Sequence, residues 1–461
     1  MENVLKLASK QNDKKGKALY LIFYIILFHI HVMPYYVSFF FTDLFYYEPY
    51  QLTVLDLEKY SYYAMIAFLA IDFLYDLIRN KKILLDRCQI VLFILVGWLI
   101  ISAFYNFGWA AAFDFFNKMA VCELILQCVF MFITASRLNE RQFKQLIHWC
   151  CIPTLIVLFG LNLVSLICYY SGHMGETIQV FGRIVQLPEM IMRGGIINPN
   201  GRYAGFYGSS GILGILCIVG VTMSVYYALN AKQLFWKVVA VISALSNIIM
   251  ILFSNSRTGL IAILINVFFV CSILLQRKLH YSMKKSFLVS LLIGVVLVGF
   301  FTIVKWSSFT NMVEAFRANP IQTLDSLLAG RMQLFNNALR QASAHPWIGC
   351  GWNAKVEYYL WEGQVEYVDS AHNVFVTVYM CGGLIGLLLF ILFLVLCIMS
   401  MLSHKEVIHK NQMLLCMVIV VFVQCLTEQG IFGDMRYANS YLFWTFLGYL
   451  TFDRTIRNSI N

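Results

Sequence analysis

Charged residues are scarce in this sequence. They make up 13% of its 461 residues, whereas a soluble globular domain carries about 25%. Hydrophobic residues account for 60% of the chain, and the mean hydropathy is +0.72. Because the apolar residues are spread along the whole length, the scarcity of charge excludes a soluble domain and indicates an integral membrane protein.

Signatures of metal and cofactor chemistry are also missing. The 13 cysteines include no Cys-X-X-Cys pair, and most lie inside apolar runs, where cysteine acts as a small packing residue. No HExxH, no DxD and no carboxylate–histidine cluster with metal-ligand spacing occurs. We therefore expect a protein that needs neither a metal ion nor another cofactor.

The apolar residues form long segments. A helix needs about 20 of them to cross the hydrocarbon core of a bilayer, and twelve segments qualify, with no visible internal repeat. The first lacks the small-residue cleavage site of a signal peptide, so it is interpreted as a retained helix. The predicted fold is an all-α polytopic membrane protein with about twelve transmembrane helices, near residues 18–41, 61–78, 88–106, 115–135, 146–170, 204–228, 236–254, 258–276, 286–304, 373–402, 412–428 and 437–452.

The basic residues support this helix count. The net charge is +10, and most of the 34 lysines and arginines lie in short segments beside the predicted helices. If the N-terminus is cytoplasmic, every cytoplasmic segment carries lysine or arginine, as the positive-inside rule requires. The sequence thus predicts two cytoplasmic termini and no nucleic-acid partner. The segments are 1–17, 79–87, 136–145, 229–237, 277–285, 403–411 and 453–461.

Two of the predicted outer loops are long, residues 171–203 and 305–372. Both contain aromatic residues and little low-complexity sequence, so we expect them to fold, the second with short helices. The chain divides into about five helices with the first outer loop (1–190), a core that includes the second long loop (191–402), and C-terminal helices (403–461).

A glycine-rich stretch leads into the sixth predicted helix. It reads RGGIINPNGRYAGFYGSSG, from Arg193 to Gly211. Glycines let backbone amides approach a ligand closely, and a helix N-terminus favours an anion. Arg193 and Arg202 can donate charge-assisted hydrogen bonds to phosphate, and Asn198 is a further candidate for substrate binding. The alternative is a glycine-rich turn whose arginines extend to the membrane interface.

Arg257 lies between two apolar runs, in the stretch FSNSRTGLIAIL from Phe253 to Leu264. An arginine this close to hydrocarbon is costly unless it is paired or faces a wet cavity. Arg257 is therefore a candidate functional residue. The alternative is an arginine that anchors a turn at the membrane surface.

The second long loop contains a helical pattern. Apolar residues from Met332 to Leu339 recur at helical spacing, so the sequence predicts a short amphipathic helix that Arg331 opens. The segment HPWIGCGW follows as a turn rich in glycine. Its Trp347 and Trp352 suit a membrane interface or stacking on sugar rings.

A histidine lies where this loop gives way to the tenth predicted helix, in Ser370-Ala371-His372-Asn373. Asp369 or Ser370 is predicted to cap that helix. Because histidine exchanges a proton near neutral pH, His372 is a candidate acid or base. The alternative is an interfacial histidine with satisfied hydrogen bonds.

Taken in order, these stretches resemble the O-antigen ligase/polymerase family of bacterial membrane proteins. The resemblance covers roughly residues 190–400. Each mark is short, and it is their order and spacing that carry the resemblance. The marks are Ser256-Arg257-Thr258-Gly259 at a helix junction, Gly330-Arg331 opening the long loop, His345-Pro346-Trp347-Ile348-Gly349-Cys350-Gly351 within it, Ala371-His372-Asn373 closing it, and Gly382-Gly383 beyond it.

The resemblance implies a class C-type membrane glycosyltransferase that acts on polyprenyl-pyrophosphate-linked glycans at the outer leaflet. It implies roles for Arg257, Arg331 and His372, with Arg193 or Arg202 as a further candidate. Asn373, beside the histidine, is a candidate substrate-binding residue. The expected location is the cytoplasmic (inner) membrane of a bacterium, with the active site on its outer face.

These residues allow a metal-independent reaction. The arginines would stabilise the charge of a pyrophosphate leaving group, and His372 would orient or deprotonate an acceptor hydroxyl. A hydrogen bond from His372 to the leaving phosphate is the alternative role. The expected activity is polymerisation of undecaprenyl-pyrophosphate-linked repeat units into O-antigen or capsule, with a chain-length regulator as a candidate partner.

Other functions also fit the sequence. An O-antigen ligase would move the finished glycan to a lipid A core. A flippase or other transporter fits twelve helices, but it predicts inverted repeats and ionisable residues near the midplane. A membrane scaffold needs no arginines at helix junctions.

Overall fold

The structure is a computed structural model of the chain. It describes residues 21–29, 63–78, 81, 85–117, 126–173, 176–180, 183–186, 190–191, 202–203, 210–254, 256–304, 331–352, 354–359, 365–368, 371–427 and 438–452.

The described residues are mostly helical, which confirms the helical fold class. All twelve predicted segments contain described helical residues. A five-residue π-helical turn, Leu126–Phe130, precedes the short helix α4. The helices are α1 (21–29), α2 (63–78), α3 (Arg87–Asn117), α4 (Met131–Arg137), α5 (Glu140–Ser171), α6 (Ser210–Asn230), α7 (Leu234–Ser254), α8 (Arg257–Leu279), α9 (Met283–Val304), α10 (Arg331–Ala344), α11 (Val374–Ser403), α12 (Lys405–Lys410), α13 (Gln412–Gln424) and α14 (Ala438–Thr451).

Six helices within the described part of the chain are long and apolar enough to cross a membrane. This confirms a polytopic membrane protein, while the count of twelve crossings stays a prediction. The six segments are Arg87–Asn106, Glu140–Ser171, Leu213–Asn230, Leu234–Ser254, Thr258–Leu279 and Val374–Ser403.

The end of α3 differs from the prediction. A helix was expected over 88–106 and a separate one from 115, but α3 continues without interruption to Asn117. The intervening sequence contains three consecutive alanines at 110–112. Alanine has the highest helix propensity, so the helix continues through the expected loop.

Short β-hairpins, which the sequence analysis did not predict, accompany the helices. Each of three antiparallel sheets has two strands: β1 (Thr177–Val180) with β2 (Arg183–Gln186), β3 (Met190–Ile191) with β4 (Arg202–Tyr203), and β5 (Val356–Tyr359) with β6 (Val365–Val368). The sequences of β5 and β6 are rich in valine and tyrosine, which favour strands. The hairpin β5–β6 pairs Val356 with Val368, so it leads the chain back towards the start of α11.

Helix α8 is held by polar side chains at three depths. Thr258, Asn266 and Gln276 lie on one side of it, and the first and last of them are about 27 Å apart along the helix axis. That length is close to the roughly 30 Å thickness of a bilayer core. The bonds join Thr258 Oγ1 to Thr427 Oγ1 (2.8 Å), Asn266 Nδ2 to Thr222 Oγ1 (2.9 Å) and Gln276 Nε2 to Gln412 Oε1 (3.1 Å).

Helix α11 is interrupted in its first half. Gly383 has φ +63° and ψ −165°, a conformation outside the helical region. About ten residues separate this break from the start of the helix, so it lies roughly 15 Å along the axis. A break leaves backbone N–H and C=O groups without helical partners, and at this depth they must be satisfied within the protein.

The segment His345–Gly351, here called the inserted segment, satisfies those groups. Before the break, Met380 O accepts from Cys350 N (2.7 Å) and Cys381 O accepts from Gly351 N (3.1 Å). After the break, Leu384 N donates to Pro346 O (2.8 Å) and Ile385 N donates to Trp347 O (3.4 Å). The inserted segment therefore pairs with α11 through backbone atoms on both sides of the break.

Glycine is required on both sides of this pairing. A Cβ atom on Gly383 would lie 2.3 Å from the backbone carbon of Trp347, and one on Gly349 would lie 2.5 Å from Gly383 N. Both glycines also have positive φ. The Gly-rich marks of the sequence are thus explained by close backbone approach.

Helix α3 covers the break from the other side. Trp98 Nε1 donates to Gly382 O at 2.7 Å, and Asn106 Nδ2 donates to Gly349 O at 2.9 Å. Ser102 Oγ lies within hydrogen-bond distance of both Ile348 O (2.6 Å) and Cys381 O (2.7 Å). The interrupted helix, the inserted segment and α3 form one hydrogen-bonded unit.

Candidate active site at helix N-termini

Arg257 is the first residue of α8. Ser256 caps the helix, because its Oγ accepts a hydrogen bond from Gly259 N at 3.1 Å. The side chain of Arg257 lies outside the described part of the structure, but its backbone position is fixed by this cap. The polar Ser256-Arg257-Thr258-Gly259 junction therefore forms a capped helix start.

Arg331 is the first residue of α10, and it is partly buried. The predicted amphipathic helix is confirmed, since Leu334, Ala338 and Ala342 are buried. The helix packs against both α11 and β5. The contact with β5 includes two polar interactions: Asn337 Nδ2 donates to Glu357 O at 2.7 Å, and Arg340 lies 3.5 Å from the Glu357 carboxylate.

His372 and Asn373 immediately precede α11. Asn373 caps the helix, since its Oδ1 accepts from Phe375 N (3.0 Å) and Val376 N (3.1 Å). The prediction that Asp369 or Ser370 caps it is wrong. The reason is local: His372 has φ +52°, in the left-handed region, so helical geometry starts only after Asn373.

The residues Cys425, Leu426 and Thr427, here called the 425–427 turn, bring two of these helix starts together. Asn373 Nδ2 donates to Leu426 O at 3.1 Å, and the next residue, Val374, donates its N–H to Cys425 O at 2.9 Å. From the other side, Thr258 Oγ1 lies 2.8 Å from Thr427 Oγ1. The start of α8 and the start of α11 are therefore bonded to one three-residue turn.

Sequence reasoning missed the 425–427 turn and Thr258 as parts of the site. Thr427 lies at the end of an apolar run, where a threonine is an ordinary residue, and nothing in the sequence links it to residue 258 or 373. The signal that was available is chemical: Thr258 directly follows Arg257 and is a polar side chain at membrane depth, where a partner is expected.

The convergence of helix N-termini has an electrostatic consequence. Each N-terminus carries partial positive charge from its first N–H groups, and it stabilises a nearby anion. Here α8 and α11 begin at the same turn, and α10, which begins with Arg331, packs on α11. The arrangement suits an anionic group bound near the starts of α8 and α11.

The two candidate tryptophans differ in exposure. Trp347 is 63% exposed, although its carbonyl is held by Ile385 N at the break. Trp352 is 7% exposed and packs in the hydrophobic core. Trp347 thus has exposed surface that a ligand could contact, while Trp352 has little.

The first of the two long loops that the sequence predicts on the outer side, residues 171–203, is only partly described. Arg193 and Asn198 lie outside the described residues. Arg202 lies in β4, where it pairs with Ile191, and its side chain is not described. Strand β4 contacts α7, which ends at Ser254 shortly before Arg257.

Metal ligands do not cluster in the described part of the chain: no group of three or more His, Cys, Asp or Glu side chains there can hold an ion. Metal independence stays a prediction.

Comparison with known proteins supports the interpretation of this region. Residues 242–391 match the family model of the O-antigen ligases, which confirms the resemblance seen in the sequence. The matched range contains Arg257, Arg331 and His372, whereas Arg193 and Arg202 precede it. No curated protein matches the chain. The family match supports a membrane glycosyltransferase of the O-antigen ligase/polymerase type, and such enzymes act on lipid-linked glycans.

Proposed function

We propose that this protein polymerises oligosaccharide repeat units carried on undecaprenyl pyrophosphate, at the outer face of the bacterial cytoplasmic membrane. The observation that carries the proposal is the attachment of the starts of α8 and α11, with Arg257 and His372, to the 425–427 turn. The product would be a surface polysaccharide such as O-antigen or capsule.

The donor site needs to hold a pyrophosphate. Arg257 and Arg331 supply permanent positive charge and planar donors that match phosphate oxygens. The N-termini of α8, α10 and α11 add partial positive charge. Arg202 or Arg193 would complete the site. Arg202 lies in β4, and β4 contacts α7, the helix that ends shortly before Arg257, so the structure is compatible with Arg202 in this role. No metal ion is required, because the arginines neutralise the charge of the leaving group.

His372 would act on the acceptor. An acceptor hydroxyl oxygen attacks the anomeric carbon of the donor sugar, and the bond from that carbon to the pyrophosphate oxygen breaks. The hydroxyl proton passes to the imidazole of His372, and the lipid pyrophosphate leaves with the bonding electron pair. The Nδ1 atom of His372 is buried, so we assign Nε2 as the proton acceptor. A general base at this position would contribute roughly 10²–10⁴-fold to the rate.

The membrane topology is part of the proposal. If the chain crosses the membrane twelve times and both termini are cytoplasmic, every cytoplasmic segment contains lysine or arginine, as the positive-inside rule requires. The same topology puts the starts of α8 and α11 on the outer side, where a flipped lipid-linked donor is accessible. A class C-type glycosyltransferase fold fits this arrangement, and a chain-length regulator would act on the same face.

A ligase is the second candidate, and the description of the matched family favours it. Polymerase and ligase share the donor and the leaving group, so both use the same arginines. They differ in the acceptor, which is a growing lipid-linked glycan for the polymerase and a lipid A core for the ligase.

A transporter finds less support. Its binding site would be expected at a broken helix near the midplane, and α11 is such a helix. However, the backbone groups of Met380, Cys381, Leu384 and Ile385 at the break are bonded to the inserted segment. The break is filled by protein, which favours a structural role for it.

The proposal is tested with purified protein in liposomes supplied with lipid-linked repeat units and lipid A core. A polymerase yields a ladder of products on the carrier lipid, whereas a ligase yields glycan on the core. We expect His372→Ala, Arg257→Ala and Arg257→Lys to abolish the ladder, since lysine does not reproduce bidentate phosphate binding.

The matched controls are a second histidine and a second arginine of the same long loop. His345→Ala changes an exposed histidine of the inserted segment, and Arg340→Ala changes an arginine on the same helix as Arg331. Both controls should keep the ladder, while Arg331→Ala should lose it. Ladders of wild-type length from folded His372→Ala or Arg257→Ala would overturn the site assignment.

A further inference from the structure

A second polar surface lies at the first turns of α5, outside the O-antigen ligase match. An open cavity of about 760 Å³ lies against this helix. Within the described part of the chain, the lining residues come from one face of α5, and we call them the α5 face: Glu140, Arg141, Lys144, Gln145, His148 and Trp149.

The α5 face is attached to two other helices. Pro153 has no N–H to bond Trp149 O, as a residue at that position otherwise would. His29 of α1 supplies the missing donor, because its Nε2 donates to Trp149 O at 2.9 Å. In addition, His148 Nδ1 lies 3.4 Å from the hydroxyl of Tyr227 on α6. The backbone carbonyl of Trp149 is thus hydrogen-bonded while the residue as a whole stays 57% exposed.

The charge on this face is positive. Lys144 pairs with Glu140 at 2.6 Å, so these two charges offset each other. Arg141 is exposed and adds a further positive charge, and His148 adds donor capacity beside it. The surface therefore favours an anion, and it combines the anion-binding groups with an exposed indole ring.

The position along α5 indicates where that anion comes from. The α5 face, which lies between residues 140 and 149, is at the start of a helix that is long and apolar enough to span the membrane. Tryptophan at such a boundary lies at the level of lipid headgroups. Arg141 and Lys144 are one to two turns from Trp149, so their charges lie at the level of the lipid phosphates or just outside it.

We propose that the α5 face binds the headgroup of an anionic phospholipid. The phosphate would contact Arg141, which supplies the net positive charge, and Lys144, whose ammonium keeps N–H donors besides the one that bonds Glu140. The glycerol region would pack on the Trp149 ring. A soluble phosphate would use the two basic residues but leave the exposed indole without a role. The proposal does not depend on the glycosyltransferase assignment, because the α5 face lies outside the family match and shares no residue with the candidate active site.

The test uses the whole protein purified in a neutral detergent. Melting temperature and lipid retention by native mass spectrometry are measured with phosphatidylglycerol, with phosphatidylcholine of the same acyl chains, and with inorganic phosphate. We expect phosphatidylglycerol alone to raise the melting temperature and to be retained. The double variant Arg141→Gln/Lys144→Gln should weaken its retention by roughly tenfold or more, because each basic residue near a lipid surface contributes measurably to binding.

The control variant is Lys237→Gln/Lys284→Gln, which removes the same charge from two exposed residues at the ends of other helices. It should retain phosphatidylglycerol as the wild type does. Equal weakening in the control would show a nonspecific charge effect and overturn the proposal. Protection by inorganic phosphate equal to that by phosphatidylglycerol, or equal retention of phosphatidylcholine, would overturn it as well.

Discussion

Helices α8 and α11 both begin beside a candidate catalytic residue, yet they are anchored by different atoms. Helix α8 is continuous and is bonded to its neighbours through the side chains of Thr258, Asn266 and Gln276. Helix α11 is interrupted at Gly383, and backbone groups on both sides of the break are bonded to the inserted segment. Both helices are bonded to the 425–427 turn at their first residues.

The difference determines how each helix responds to substitution. A helix held by separate side-chain bonds loses one bond at a time, and each such bond in a membrane contributes about 0.6 kcal/mol on average. A helix held by backbone contact with glycine has no such tolerance, since any side chain at Gly383 overlaps the chain of Trp347. Substitutions at the break of α11 should therefore cost more stability than substitutions of single side-chain bonds along α8.

The largest effect is expected at the break. Gly383→Ala adds a methyl group 2.3 Å from Trp347 backbone atoms, at a φ and ψ that only glycine adopts readily. We expect a loss of roughly 3 kcal/mol or more in stability, measured as a lower yield of monodisperse protein and a lower melting temperature. Gly97→Ala is the control, because a Cβ on Gly97 of α3 meets no atom within 4 Å. Equal stability of the two variants would refute the backbone pairing.

The contrast also explains what the sequence could predict. Helical segments, the amphipathic helix α10 and the candidate status of Arg257 follow from hydropathy, spacing and the cost of charge in membranes. The roles given to Arg331 and His372 rest on the family resemblance. The pairing of the inserted segment with α11 at Gly383 could not be predicted in this way. It is made by backbone atoms, which every residue has, so only the glycines mark it in the sequence. The 425–427 turn was missed for a related reason: its Leu426 and Cys425 act through carbonyl oxygens, which every residue has.

An intermediate effect is expected at Asn373, which both caps α11 and donates to Leu426 O. Asn373→Ala should cost about 1–2 kcal/mol and lower glycan transfer strongly. Asn373→Asp keeps an oxygen for the cap but has no N–H for Leu426, so it should recover stability more than transfer. Melting temperature and the rate of ladder formation separate the two roles.

Asn139 is the matched control for this prediction. It caps α5 through its side chain, as Asn373 caps α11, but it is not among the residues of the candidate active site. Asn139→Ala should lower stability by a similar amount and leave the transfer rate per folded molecule unchanged. If Asn139→Ala slows transfer as much as Asn373→Ala does, the link to the 425–427 turn has no special role.

The smallest change in stability is expected from single bonds along α8. Thr258→Val and Thr222→Val each remove one side-chain hydrogen bond between α8 and a neighbouring segment, at the start of α8 and at its middle. Both should cost about 0.6 kcal/mol. Only Thr258→Val should slow transfer, because it frees the start of α8 from the turn that also holds α11. Equal transfer rates in the two variants would place the 425–427 turn outside the site.

The most direct test is a cross-link between the start of α8 and the 425–427 turn. Thr258→Cys and Thr427→Cys are combined in a variant whose 13 native cysteines are replaced, and the protein is oxidised. Because the two hydroxyl oxygens lie 2.8 Å apart, the paired cysteines should form an intramolecular disulfide, detected by peptide mass spectrometry, and the oxidised protein should still extend lipid-linked glycans. An active variant in which no disulfide forms would contradict the claim that Arg257 and His372 belong to one site.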